Sequence, residues 1–202
     1  MMKRKYLISC MLLLCALTGL HAQKLSCHLE WGMTGTVYSH HSSDYTTLEG
    51  YHMDPRYYDN IFHPHGFVSV QAGIRPVRRL RLDLCTGYYG LQYEVRSIPV
   101  GLRGTWHFGQ DPDGKGMLGY AEAGVGFSED LRGKNADYSR FGLGYRVPLG
   151  EGIFLKFLCS GQLSLTHPIP YDYFDDMYVD PSRLSRSDRI SLGVSFSIAI
   201  GF

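Results

Sequence analysis

Charged residues, closely spaced cysteines and long apolar runs are all scarce in this sequence of 202 residues. Only 19% of the residues are charged, and 20 Lys and Arg stand against 19 Asp and Glu. This balance gives no electrostatic reason to expect a nucleic-acid partner. Beyond the N-terminus no run approaches the roughly 18 apolar residues that a membrane-spanning helix requires. The sequence therefore excludes a helical membrane protein.

Cysteine occurs at five positions, without the Cys-x-x-Cys spacing typical of zinc or redox sites. Cys10 and Cys15 belong to the N-terminal segment described next. The other three, Cys27, Cys85 and Cys159, form an odd set and lie in predicted strands. We therefore expect small half-buried side chains here, with no disulfide framework, metal or cofactor.

The N-terminal segment has the organisation of an export signal. Lys3, Arg4 and Lys5 precede an uncharged, mostly apolar stretch over residues 6–20, and Ala22 offers a small residue for cleavage. We predict that residues 1–22 are a cleaved signal peptide and that residues 23–202 form one exported domain.

Glycine and aromatic residues are abundant, with 24 Gly, 15 Tyr and 10 Phe. They belong to segments in which apolar and polar residues alternate with period two, which predicts strands with one apolar face. In the first segment, for example, Leu29, Trp31 and Met33 alternate with Glu30 and Gly32. The predicted strands are residues 25–37, 68–75, 80–88, 98–108, 117–127, 140–147, 153–165 and 190–202.

The connections between these strands alternate between short and long. Residues 76–79, 109–116 and 148–152 are short links, whereas 38–66 and 167–188 are long. Eight strands of this length, with short turns at one rim and long loops at the other, predict an all-β, antiparallel up-and-down transmembrane β-barrel. A soluble lipocalin-like barrel has the same periodicity with the apolar face turned inward, and it stays as an alternative.

The polar face favours the membrane barrel, because it is rich in Gly, Ser and Thr and carries few charges. We predict that these charges form a structural cluster in the barrel interior: Glu30, Arg81, Asp83, Arg103, Glu122, Arg140, Arg146 and Lys156. Eight strands enclose an interior that side chains fill, so we expect no through pore. Aromatic residues near the strand ends are candidates for two interfacial girdles: Trp31, Tyr88, Tyr89, Trp106, Phe108, Phe127 and Phe141.

The export signal, the eight alternating segments and the closing residues 195–202 together resemble the small outer-membrane β-barrels of bacteria, the OmpA/OmpX-like or porin-family barrels. The resemblance implies location in the cell outer membrane, in contact with its lipid and lipopolysaccharide. It also implies that the barrel-assembly machinery reads the terminal strand, at positions that match Phe196, Ile198, Ile200 and Phe202.

Function is then expected in the long loops, where an extracellular partner would bind. Loop 38–66 holds His63, His65 and Asp59, which a metal would use, but a His- and Tyr-rich surface is the preferred interpretation. Loop 167–188 alternates aromatic residues with carboxylates that suggest calcium or a basic partner, without the ligand spacing of a calcium loop: Asp172, Asp175, Asp176 and Asp180.

A lipid-modifying enzyme is the alternative function, since some eight-stranded outer-membrane barrels remodel lipid A. The best available set is Ser42 with His40 as base and Glu49 as the orienting carboxylate. The lipid A deacylase family places its His-x-Ser on a later strand that faces lipid. We therefore predict a structural or surface-interaction protein without catalytic residues.

Overall fold

The structure is a computed structural model that describes residues 25–60, 62–92, 95–109, 111, 113–127, 135–150 and 152–202. The predicted signal peptide, residues 1–22, lies outside these ranges. No helix within them is long and apolar enough to cross a membrane.

Twelve strands occur in the described part of the chain, and eight of them are long. The long strands are β1 (Ser26–Thr46), β4 (His63–Val77), β5 (Leu80–Gln92), β6 (Val95–His107), β7 (Gly116–Phe127), β8 (Ala136–Pro148), β9 (Phe154–Thr166) and β12 (Leu184–Gly201). The short strands are β2 (His52–Met53), β3 (Arg56–Asp59), β10 (Tyr171–Asp172) and β11 (Met177–Tyr178), and a 3₁₀ turn covers Pro181–Arg183.

The long strands form one closed antiparallel sheet. Each pairs with its neighbours along the chain, in the order β1, β4, β5, β6, β7, β8, β9 and β12, and β12 pairs back onto β1. The closing ladder runs from His28 opposite Gly201 to Tyr45 opposite Leu184. The predicted eight-stranded antiparallel up-and-down barrel is therefore confirmed.

In the barrel part of the long strands most apolar side chains face outward and most polar side chains face inward. On β6, for instance, Ile98, Val100 and Leu102 are exposed, whereas Arg103 and Thr105 are buried. Among the described residues, the buried apolar side chains inside the barrel form small clusters, such as Leu118 with Leu158. The interior is thus held largely by polar contacts, which is the reverse of a soluble domain.

Two strands extend well beyond their predicted ends. β1 continues to Thr46 where the alternation predicts an end at Val37, and β12 begins at Leu184, before the predicted Ile190. A register shift between Thr36 and Tyr38 marks the point where the alternation stops. Beyond this bulge the paired strands project from the barrel, so loops 38–66 and 167–188 are partly strand.

Tyr89 corrects the predicted girdle. Its side chain is 2% exposed and points into the barrel, where its ring packs against Phe67 and Tyr138. The preceding residue, Tyr88, is exposed on the outer face. Adjacent residues of a strand point to opposite faces, so only one of the two tyrosines can belong to an outer girdle.

Candidate functional site

Two carboxylates and two guanidinium groups form the centre of the barrel interior. Arg103 bridges both carboxylates, since its Nη1 lies 2.6 Å from Glu30 Oε2 and its Nη2 lies 2.5 Å from Glu122 Oε2. Arg140 lies farther away, 3.7 Å from Glu30 and 3.8 Å from Glu122. All four side chains are almost fully buried, so the pairing replaces the water that these charges have lost.

Neutral polar groups complete this central cluster. Tyr138 and Tyr89 donate hydrogen bonds to Glu122 Oε1, at 2.9 and 3.2 Å. Gln71 Nε2 and Ser197 Oγ donate to Glu30, at 2.5 and 2.7 Å. The Arg140 guanidinium also stacks 4.3 Å above the ring of Phe67, inside the barrel. Each carboxylate therefore has partners on several strands, which ties the walls of the barrel together.

The remaining predicted interior charges lie toward the short-turn rim. Arg81 Nε donates to Asp83 at 2.6 Å. Arg146 faces a carboxylate of the short turn between β6 and β7, with its Nη1 3.5 Å from Asp113 Oδ1. Lys156 Nζ lies 3.4 Å from His28 Nδ1, and none of the described carboxylates lies within 4.0 Å of it. This end of the interior thus holds more cations than anions.

The opposite rim is built from the extensions of β1 and β12, with the segment 167–183 packed onto them. Leu48 N donates to Asp175 Oδ2 at 2.8 Å, and Arg183 Nη1 contacts Asp175 and the Thr46 carbonyl. His167 Nδ1 lies 2.9 Å from Asp188 Oδ1. We call this assembly, residues 38–59 with 167–191, the long-loop platform. Because its parts are hydrogen-bonded together, its two loops form one surface.

Aromatic side chains and carboxylates cover this platform. Tyr173 and Phe174 are 80% and 79% exposed at its tip, and Tyr57 and Tyr58 are exposed on its side. Two hydrogen bonds from Ser182 lower the pKa of the Asp180 carboxyl below its ordinary value.

The candidate metal ligands His63, His65 and Asp59 do not all contact one another. His63 Nε2 lies 3.2 Å from Asp59 Oδ2, whereas His65 Nε2 lies 3.0 Å from Thr36 Oγ1. Among the described residues no group of three or more His, Cys, Asp and Glu side chains is placed to hold a metal ion.

The candidate Ser, His and Glu set is also spread over the platform. His40 stacks on Tyr58 with ring centroids 4.6 Å apart, Ser42 is buried opposite Asp188, and Glu49 is exposed after the end of β1. No hydrogen bond in the described part of the chain joins the three.

The predicted assembly residues lie on the outer face of β12 and just after its end. Phe196 and Phe202 are exposed, and Ile198 and Ile200 are half-buried. The backbone of Phe202 pairs with that of Cys27, which closes the barrel at the short-turn rim.

Several interior residues are missed by the sequence reasoning. Tyr138 lies before the predicted start of its strand at residue 140, although the strand begins at Ala136. Gln71 and Ser197 lie on the predicted polar face, so their inward position is expected and only their hydrogen bonds to Glu30 are missed. No sequence pattern predicts the contacts of Asp113, because it lies in a turn. The register of the barrel strands brings it to Arg75 and Arg146.

Comparisons with known proteins return structures only. No family model and no curated protein matches this sequence. Neisserial surface protein A is 11% identical over 86% of this chain and 95% of its own, with a TM-score of 0.40. OprG from Pseudomonas aeruginosa is 11% identical over 89% and 95%, with a TM-score of 0.46. The N-terminal β-barrel domain of OprF from Pseudomonas aeruginosa is 17% identical over 87% and 98%, with a TM-score of 0.37.

Proposed function

We propose that this chain is an integral β-barrel protein of the bacterial outer membrane, that it has no through pore, and that it acts through the long-loop platform as a structural or surface-interaction protein. The observation that carries the proposal is the inverted polarity of the barrel, with charges inside and a continuous apolar face outside.

The apolar outer face has the dimensions of a bilayer core. On β6 the exposed residues Ile98, Val100, Leu102 and Trp106 cover nine positions. At about 3.3 Å per residue and a tilt of about 40°, they span about 20 Å, near the apolar band of about 25 Å in outer-membrane barrels. A closed barrel is also the only sheet that leaves no backbone group unpaired in lipid.

The central cluster supports the absence of a pore. Glu30, Glu122, Arg103 and Arg140 cross the lumen from different strands and are buried in contact with one another. An eight-stranded barrel has an interior just wide enough for side chains to fill. We expect no single-channel conductance when the purified protein is added to a planar lipid bilayer, with a trimeric porin as positive control. Steady conductance steps would contradict this part of the proposal.

Short turns of outer-membrane barrels lie in the periplasm and long loops lie outside the cell. The platform therefore belongs at the cell surface, where its exposed aromatic residues and carboxylates would meet an extracellular partner. Outer-membrane lipid and lipopolysaccharide would contact the apolar face, and the barrel-assembly machinery would read Phe196, Ile198, Ile200 and Phe202.

Cysteine labelling tests the location and the orientation together. Tyr173→Cys lies on the platform, and Leu149→Cys lies in a short turn as its matched control, since both side chains are exposed. A membrane-impermeant maleimide should label Tyr173→Cys on intact cells and Leu149→Cys only after the outer membrane is permeabilised, both relative to the parent protein. The reverse pattern would refute the orientation, and recovery in the soluble periplasmic fraction would refute the location.

The assembly role of the last strand has a separate test. Phe202→Asp should lower the amount of heat-modifiable barrel in the outer membrane, whereas Phe174→Asp, on the exposed platform, should leave it unchanged. Equal amounts of folded barrel for both variants would contradict that role.

A further inference from the structure

The charges of the barrel interior are balanced at its centre and unbalanced at its short-turn end. In the central cluster two arginines face two glutamates. At the short-turn end the described side chains that point inward are Arg81, Arg146 and Lys156 against Asp83, with Arg75 and Asp113 paired at the edge. Among these described side chains the cations outnumber the carboxylates by two, in an interior that is poorly solvated.

Two of these cations are direct neighbours. Lys156 lies opposite Arg146 in the ladder between β8 and β9, and both side chains point inward and are buried. Like charges that face each other across a sheet destabilise it. Within the described ranges no carboxylate lies within 4.0 Å of Lys156 Nζ, and its hydrogen-bond contact is with His28 Nδ1, at 3.4 Å.

A cavity of about 510 Å³ opens at this end of the barrel. Arg75, Arg81 and Arg146 line it, together with the glycines of the β8–β9 turn. Two of the guanidinium groups have fixed positions: Arg81 donates to the Ser26 carbonyl at 3.0 Å, and Arg146 stacks 3.9 Å above the ring of Phe154. A guanidinium held in this way matches the oxygens of a phosphate or a carboxylate.

Asp113 already occupies one edge of this cavity. Its Oδ1 lies 2.8 Å from Arg75 Nη2 and 3.5 Å from Arg146 Nη1. The side chain is nevertheless 67% exposed and belongs to a turn, so it can leave without breaking a strand. Asp113 therefore shows where an anion fits between the two arginines, and it is a removable occupant of that position.

We propose that the short-turn end of the barrel is a binding site for a small polyanion of the phosphate class, in which a phosphate group displaces Asp113 and contacts Arg75, Arg81 and Arg146. Asp113 brings a single negative charge to a cavity lined by three arginines, whereas a polyphosphate brings two or more. The site is distinct from the long-loop platform and does not depend on the partner of that surface.

Titration calorimetry with pyrophosphate tests the site on the purified full barrel in a maltoside detergent, which carries no phosphate. Arg146→Gln should weaken binding by at least about tenfold, because it removes a charge-assisted hydrogen bond to the phosphate. Asp113→Asn should strengthen binding about fivefold, because it removes the competing charge. Arg78→Gln is the matched control: this arginine is exposed on a neighbouring turn outside the cavity, and its replacement should change nothing.

Each variant is first checked for heat-modifiable migration, so that loss of binding is measured on folded barrels. A result in which Arg78→Gln weakens binding as much as Arg146→Gln, or in which Asp113→Asn leaves the affinity unchanged, would overturn the proposal. Succinate, a dicarboxylate, should bind at least about tenfold more weakly than pyrophosphate. Equal binding of the two would overturn the assignment to phosphate. Because the titration uses purified barrel, its failure is separate from a failure of the membrane location.

Discussion

Glu122 is the residue whose removal should destabilise this barrel most clearly. Its Oε2 accepts two hydrogen bonds from Arg103, at 2.9 Å from Nε and 2.5 Å from Nη2, and its Oε1 accepts from Tyr89 and Tyr138. Glu122→Ala removes all four acceptor contacts at once and leaves two buried phenol groups without their partner. It also leaves Arg103 and Arg140 with Glu30 as the one nearby carboxylate of the central cluster.

The expected cost follows from these contacts. Each hydrogen bond to a charged group contributes about 1.5–3 kcal/mol, but Arg103 retains its bond to Glu30, so the four values do not add. Removal of one partner from a buried ion pair costs about 3–5 kcal/mol. We therefore expect Glu122→Ala to lower the free energy of unfolding by about 3–5 kcal/mol, and Glu122→Gln to lower it by less, because the amide oxygen still accepts from a tyrosine.

Urea unfolding in phospholipid vesicles, followed by the emission of Trp31 and Trp106, measures this difference. The matched control is Glu49→Ala, since Glu49 is exposed on the platform and should change stability by less than about 0.5 kcal/mol. Because the cluster is buried, 1 M salt should leave the effect of Glu122→Ala nearly unchanged. A cost below about 1 kcal/mol, or one that vanishes in salt, would mean that water fills the lumen and that the argument from buried pairing is wrong.

Three further predictions concern the wall and the rim of the barrel. Gly124→Ala should destabilise the barrel by about 1–3 kcal/mol, because a Cβ there would lie 2.5 Å from the Val100 carbonyl, whereas Gly161→Ala meets open space and should cost less than about 1 kcal/mol in the same urea assay. Leu102→Arg should cost about 2–4 kcal/mol in vesicles and Phe108→Arg, at the rim of the same outer face, about 0–1 kcal/mol; equal costs would argue against a bilayer around this face. Hydrogen bonding to an arginine lowers the pKa of Asp113 from 3.8, so its stabilisation is present above that value and is lost as the pH falls through the lowered pKa. Asp113→Asn should therefore be less stable than the parent at pH 7, by under about 1 kcal/mol, and the difference should disappear in acid.

The fold could be predicted from the sequence because each barrel strand alternates between an apolar outer face and a polar interior. Leu29, Trp31 and Met33 alternate with Glu30 and Gly32, which divides the strand into an apolar face and a polar face. Beyond the bulge after Thr36, both faces of β1 meet water or polar contacts, so the alternation ends although the strand continues to Thr46. Period two therefore reports the length of the apolar band and not the length of the strand.

The interior partners could be predicted only as a set. The alternation places Arg103, Glu122 and Arg146 on the inner face, but which pairs form depends on the stagger between strands. That stagger puts Arg103 directly opposite Glu122, while Arg146 lies opposite Lys156 and reaches the turn residue Asp113 instead. Loop contacts such as that of Asp175 with the Leu48 amide depend on how two distant segments pack. No periodic pattern in the sequence predicts them.

The pairing of β1 with β12 makes the two ends of the chain the seam of the barrel. The ladder begins at Cys27 with Phe202 and continues to Tyr45 with Leu184. β1 therefore cannot complete its pairing until β12 has been synthesised. Before β12 pairs, β1 and β9 each have an edge without backbone partners. The segment between β1 and β12 that must form a closed loop includes all the other long strands. Folding should therefore end in a single late step, and an incomplete chain should accumulate as an unclosed sheet instead of a smaller barrel.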